Sequence, residues 1–322
     1  MVSKFGMQLT YALRVAFIGL AVAAITAVHP AVAQQKVVSN QTSNAGPALA
    51  VFNGQVFMAW AGTDSNNTLN VAAASDGLHF GTPVTVGTNW SHASPTLAAF
   101  NGKLYLAWQG ARNSIAIASS TDGLHFGSPS VVSNYASEGS VALTSCNGQL
   151  FLEWADLGTH YVTVANSSDG VNFPSIDQLT NYVGDTPFSP SIACFGTTVF
   201  NAYARAPLAE DPINRAMIGP VVQSPLLVLG SSAPGLNSSL LSGPGLGSVN
   251  SELFYSWVGP NASTEINLAT YYVNGESVTL ANQQTLGQTT TLNPAVVGFN
   301  GHLYIAWVGT DGPRHLNIEE VF

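Results

Sequence analysis

The sequence predicts an all-β fold: a six-bladed β-propeller of four-stranded antiparallel blades, its ring closed by the N-terminal strand. Three observations predict it. A glycine turn followed by an alternating strand ending in an aromatic residue recurs along the chain. Each copy lies in the same order of strand-like runs. The segment that follows the N-terminal leader reads as a fourth strand, the one element that the last repeat lacks.

The recurring hairpin is clearest at Asn53-Gly54 leading to Trp60, Asn101-Gly102 to Trp108, Asn147-Gly148 to Trp154 and Asn300-Gly301 to Trp307. Weaker copies run from Gly196 to Tyr203 and from Asn250 to Trp257. Asn-Gly between β-rich runs signals a two-residue hairpin, because both central residues must take positive φ. A strand precedes each turn, as at residues 95–100 and 294–299. A third follows, as at 69–74, 114–119 and 266–273, and a fourth closes the unit, as at 84–87 and 130–133. Four antiparallel strands repeated around an axis make a propeller. The last repeat stops after its third strand at 315–322, and residues 36–39 align with 130–133, so the N-terminal strand is expected to complete the last blade and cover its edge.

The N-terminus reads as a targeting segment. Lys4 and Arg14 precede an apolar run over 15–28, too short to span a bilayer, which takes about 20 residues. Ala31-Val32-Ala33 then offers a small-x-small cleavage site. Residues 1–33 are expected to be a removed signal peptide, with a membrane anchor as the competing reading, and 34–322 a single propeller domain of six repeats, exported to the extracellular space or periplasm. No later stretch is apolar enough to span a membrane.

Charged residues are 8% of the chain, against about 25% in ordinary soluble domains. The formal charge is −9, and loss of the leader removes two cations and no acid. Such a chain repels phosphate backbones, which excludes nucleic acid as a partner. The two cysteines, Cys146 and Cys194, fall at nearly the same place in neighbouring repeats. They read either as a disulfide pinning two blades, which export permits, or as two small buried apolar residues. No metal-ligand spacing and no cofactor motif occur.

A second repeat marks the turn between the third and fourth strands: Ser75-Asp76-Gly77-Leu78-His79-Phe80, Ser120-Thr121-Asp122-Gly123-Leu124-His125-Phe126 and Ser167-Ser168-Asp169-Gly170-Val171-Asn172-Phe173. It resembles the Asp-box of sialidases and related six-bladed propellers, shortened by one residue and ending in Phe rather than Trp. The resemblance covers three of six repeats. It implies a structural role for Asp76, Asp122 and Asp169, and the residues agree: Asp caps its own turn, Gly takes positive φ and Phe packs into the blade. The sialidase catalytic set does not carry over. The Phe/Tyr-Arg-Ile-Pro arginine motif is missing, and beyond the leader the chain has only Arg112, Arg205, Arg215 and Arg314.

Ligand sites in sialidase-like folds lie on the face of the 4–1 and 2–3 loops, opposite the Asp-box turns. Three successive 4–1 loops carry Asn-aromatic pairs, Asn89-Trp90, Asn134-Tyr135 and Asn181-Tyr182, followed by His92, Glu138 and Asp185. Aromatic faces beside amides and carboxylates suit sugar rings, so Trp90, His92, Tyr135 and Tyr182 are candidate ligand contacts. The competing reading has the aromatics plugging gaps between blades. Arg112 and Arg205 join the candidates from the 2–3 loops. With Arg314 they fall in alternate repeats, which spreads them around the rim and favours solvated roles over an anion clamp. Glu138 and Asp185 are the best carboxylate pair for glycoside hydrolysis, which needs two carboxyls about 5–9.5 Å apart. Glu153, inside a strand beside Trp154, is a weaker candidate. The expected function is non-catalytic carbohydrate binding. A divergent exo-glycosidase and a scaffold for a secreted protein are the alternatives.

Overall fold

The computed structural model describes residues 35–178, 188–205, 215–223, 226–228, 231–232, 242–259 and 263–322. In chain order the strands are β1 (Lys36–Thr42), β2 (Ala48–Phe52), β3 (Gln55–Ala61), β4 (Thr68–Ala74), β5 (Val84–Trp90), β6 (Thr96–Phe100), β7 (Lys103–Gln109), β8 (Ser114–Ser120) and β9 (Ser130–Cys146). There follow β10 (Gln149–Asp156), β11 (Val162–Ser167), β12 (Ser175–Gln178), β13 (Ser191–Phe195), β14 (Thr198–Arg205), β15 (Arg215–Gln223), β16 (Leu226–Val228) and β17 (Ser231–Ser232). The last are β18 (Gly245–Val249), β19 (Glu252–Val258), β20 (Glu265–Asn274), β21 (Ser277–Thr289), β22 (Ala295–Phe299), β23 (His302–Val308) and β24 (His315–Glu320). All sheet pairings are antiparallel, and the only helical turn among the described residues is a short 3-10 segment, Ala111–Asn113. The molecule is an all-β propeller with antiparallel blades.

The hairpins form where the sequence places them. Asn53, Asn101, Asn147 and Asn300 have φ of 47°, 46°, 49° and 51°, each followed by a glycine at positive φ. The aromatics that end these strands, Trp60, Trp108, Trp154, Tyr203, Trp257 and Trp307, are all buried between sheets. Phe57, Phe151, Phe200 and Phe254, three residues earlier, are buried beside them, each contributing about 1.5–3 kcal/mol.

One expectation needs correction. Six separate blades were expected, and the strands of the described residues form five hydrogen-bonded sheets. The sheet running β12-β11-β10-β9-β8-β7-β6 has seven strands. Strand β9 pairs with β8 through Ser130, Val131 and Ala136, then with β10 from Ser137 to Cys146. The cause lies in one residue. At the start of the innermost strand the other repeats carry Pro47, Pro95, Pro190, Pro244 and Pro294, whereas the third carries Val141. Proline lacks an N–H and breaks a ladder; valine lets β9 run on.

The innermost strands touch in cyclic order, β2 to β6, β9, β13, β18, β22 and back to β2. Together they line an axial cavity of about 320 Å3. Strand β1 pairs with β24, as Lys36 with Ile318 and Val37 with Asn317. The N-terminal strand therefore completes the last sheet, and Val38 joins a core cluster with Leu316 and Ile318.

Two of the Asp-Gly turns are tied to the preceding repeat of the ring. Tyr304 Oη donates to the Asp76 carbonyl and Tyr105 Oη to the Asp169 carbonyl, both at 3.3 Å. A Cβ on Gly77, at φ +82°, would lie 2.7 Å from the Tyr304 ring. Glycine is needed there both for its backbone and for this contact.

Candidate functional site

The fourth strands position the loop face. Three of them, β5, β9 and β21, leave the ladder for several residues before the 4–1 loop. Strand β5 pairs Thr85 with Asn70 and then Trp90 with Thr68; β9 pairs Val131 with Ala116 and then Ala136 with Ser114; β21 pairs Thr285 with Asn267 and then Thr289 with Glu265. The residues between form bulges; Asn89 lies in the first, with Trp90 at the point of re-pairing, and Asn134 and Tyr135 lie in the second.

Trp90 and His92 stand together, ring centroids 5.1 Å apart in an edge arrangement. The Asn67 amide donates to Nδ1 of His92 at 2.6 Å, which leaves the ring proton on Nε2. Asn67 is itself fixed, accepting from the Asn44 amide at 2.7 Å. His92 is exposed and Trp90 half-buried, so both rings reach solvent from a hydrogen-bonded base.

Tyr135 lies 5.0 Å from Trp154 and packs against the core between the second and third repeats. Its ring is half-buried there. Glu138 is exposed, its Oε2 lying 3.8 Å from Nδ1 of His160. The His160 loop is held by Asp156, whose Oδ1 accepts the N–H groups of Gly158 and Thr159. Arg112 is exposed on the 3-10 turn at φ 56°. Arg205 is buried at the end of β14. Arg314 donates to the Asn44 carbonyl at 3.0 Å and so ties two loops together. Tyr182 and Asp185 lie outside the described residues. The structure thus brings Trp90 to His92 and Glu138 to His160, and sets the half-buried Tyr135 against the core.

The three turn aspartates act on their own loops. The backbone N–H of His79 and its imidazole hold the Asp76 carboxyl down to about 2. The backbone N–H of His125 lowers Asp122, and that of Asn172 lowers Asp169. Cys146 and Cys194 are joined by a disulfide between the third and fourth repeats. Among the described residues no cluster of His, Cys, Asp or Glu could hold a metal ion.

The sequence reading missed the collar around the axial cavity. The Ser94 N–H donates to Ser140 Oγ, and the Ser140 N–H to Ser189 Oγ, each at 2.9 Å. The Gly243 N–H donates to Asn293 Oδ1 at 3.0 Å. Each bond joins one innermost strand to the next. The signal was present: Ser94-Pro95, Ser189-Pro190 and Asn293-Pro294 recur at one repeat position.

No protein-family model matches the chain, and no curated protein matches it in sequence. Solved structures do match in fold. A protein of unknown function from Dyadobacter fermentans aligns with TM-score 0.63 and 14% identity over 91% of this chain and all of its own. The Trypanosoma rangeli sialidase in complex with sialic acid gives 0.57 and 10% identity, covering 90% of this chain and 57% of the sialidase. The SapL1 lectin in complex with α-methyl fucoside gives 0.57 and 12%, covering 83% of this chain and 90% of the lectin. The fold is that of the sialidase-like β-propellers. At these identities the likeness extends to the fold alone.

Proposed function

We propose that the chain is a secreted, six-bladed, carbohydrate-binding propeller that does not turn its ligand over. The count of six is supported by the cyclic contacts of β2, β6, β9, β13, β18 and β22, with the seven-stranded sheet taken as two blades fused through β9. The observation that carries the function is the Trp90–His92 pair on its Asn67 base. The indole offers apolar contact to a sugar's C–H groups, and the amide and imidazole answer its hydroxyls. That sialic acid and α-methyl fucoside are bound by proteins of this fold supports the ligand class. Secretion rests on the leader at residues 1–33.

One observation favours a second reading, a divergent glycoside hydrolase. Glu138 beside His160 offers a carboxylate and a proton-carrying group on the loop face. Two assays separate the readings. Glycan-array binding by the purified protein, weakened by Trp90→Ala with folding intact, supports binding. Release from a panel of fluorogenic glycosides, lost in Glu138→Gln, would replace it with hydrolysis.

A further inference from the structure

A second cavity, about 260 Å3, lies between the fifth and sixth repeats. Its walls include Gln288 and Thr289 from β21, Trp307 from β23, and Asp311, His315 and Asn317 from the following turn and β24. Its origin can be read from register. Thr289 pairs with Glu265 as Ala136 pairs with Ser114, so Gln288 and Tyr135 occupy matching places. Trp307 is likewise the counterpart of Trp154. Between the second and third repeats the Tyr135 ring fills the space over Trp154. Between the fifth and sixth an amide stands there instead, and the space over Trp307 is left as a cavity.

The walls are polar and held in place. Thr289 and Thr310 share a hydroxyl hydrogen bond at 2.8 Å. Asp311 Oδ1 accepts the His315 N–H at 3.1 Å, and its other oxygen meets the imidazole. The Gln35 amide donates to Asn317 Oδ1 at 3.1 Å. Fixed hydroxyls, amides, an imidazole and a carboxylate answer a ligand rich in hydroxyls. No lysine or arginine is among the described lining residues, and Asp311 repels an anion.

We propose that this cavity is a second carbohydrate subsite, shaped for a single neutral monosaccharide unit. It rests on the carbohydrate-binding reading above and adds to it where a further sugar is held and of what charge. The test is saturation-transfer NMR with methyl glycosides of neutral hexoses, of fucose and of sialic acid, on wild type and on Gln288→Tyr, Thr310→Val and Trp90→Ala. Gln288→Tyr restores the ring found at the matching junction; Thr310→Val removes one surface hydroxyl and guards against a misfolded tyrosine variant. The expected result is binding of a neutral glycoside that falls about tenfold or more in Gln288→Tyr, weakens in Thr310→Val and persists in Trp90→Ala. Undiminished binding in both cavity variants, with loss in Trp90→Ala, overturns the subsite and leaves the loop-face reading standing. Preference for the sialoside at the cavity overturns the charge assignment. No binding of any glycoside by wild type, in this assay or on the array, overturns both.

Discussion

Glu153 occupies the position where the first, second, fourth and sixth repeats carry Ala59, Ala107, Ala202 and Ala306. It is fully buried at the junction of the third and fourth repeats. Burial pushes its carboxyl well above the ordinary value. The Asn201 amide eases that shift slightly, yet neither carboxyl oxygen has a hydrogen bond of normal geometry. Above the unfolded-state pKa, about 4.3, the unfolded chain releases this proton and the folded chain keeps it, so stability falls as pH rises. Melting curves should show Glu153→Gln level with wild type at pH 4 and above it at pH 8; a constant offset at both would mean the carboxyl does not titrate on unfolding. Asp76 has the opposite sign. Held near 2 by the His79 N–H, it adds stability above its unfolded pKa of about 3.9 that is lost as pH falls toward 2. Asp76→Asn should flatten that acid limb of a pH-dependent melt. The turn aspartates were legible because a residue that caps its own loop needs only its local sequence. The surroundings of Glu153 were not, because they come from a strand two hairpins away.

At the scale of the element, Asn-Gly turns and period-two strands gave the hairpins their places, since both signals are local. The continuity of β9 depends on the absence of proline at Val141, and it becomes visible only when the repeats are compared at that one column. The Cys146–Cys194 bridge sits at the ends of β9 and β13, 48 residues apart in sequence. It restrains the fourth repeat against the third. Replacing both cysteines by serine should cost about 2–5 kcal/mol, measured by chemical denaturation without reductant; reductant should bring wild type to the same midpoint. The junction of the fifth and sixth repeats is closed without a covalent link. A Cβ on Gly245 would fall 2.5 Å from the Pro294 carbonyl oxygen, which is backbone and cannot turn aside. Gly245→Ala should therefore cost about 1–3 kcal/mol. A variant as stable as wild type would show that β18 and β22 can part without loss.

Across the whole molecule the decisive contact joins the two ends of the chain. The collar bonds the entry of one innermost strand to that of the next at three junctions, β6 to β9, β9 to β13 and β18 to β22. The last sheet depends on β1, whose partner β24 lies at the far end of the sequence. Without β1, Leu316 and Ile318 lose the cover of Val38, and the backbone of β24 becomes an unpaired edge, open to association with another chain. Native domains are stable by only about 5–15 kcal/mol, so losing one strand from a closed ring is a large fraction of the total. Deleting residues 1–42 should lower the melting temperature, broaden the transition and make the protein associate with rising concentration, as light scattering would detect. A synthetic peptide of residues 35–42 added in excess should restore the transition, because the edge it binds is already shaped by β23. If the truncated chain melts as sharply and as high as the full one, the ring is held by its collar alone and the N-terminal strand is a cover rather than a clasp.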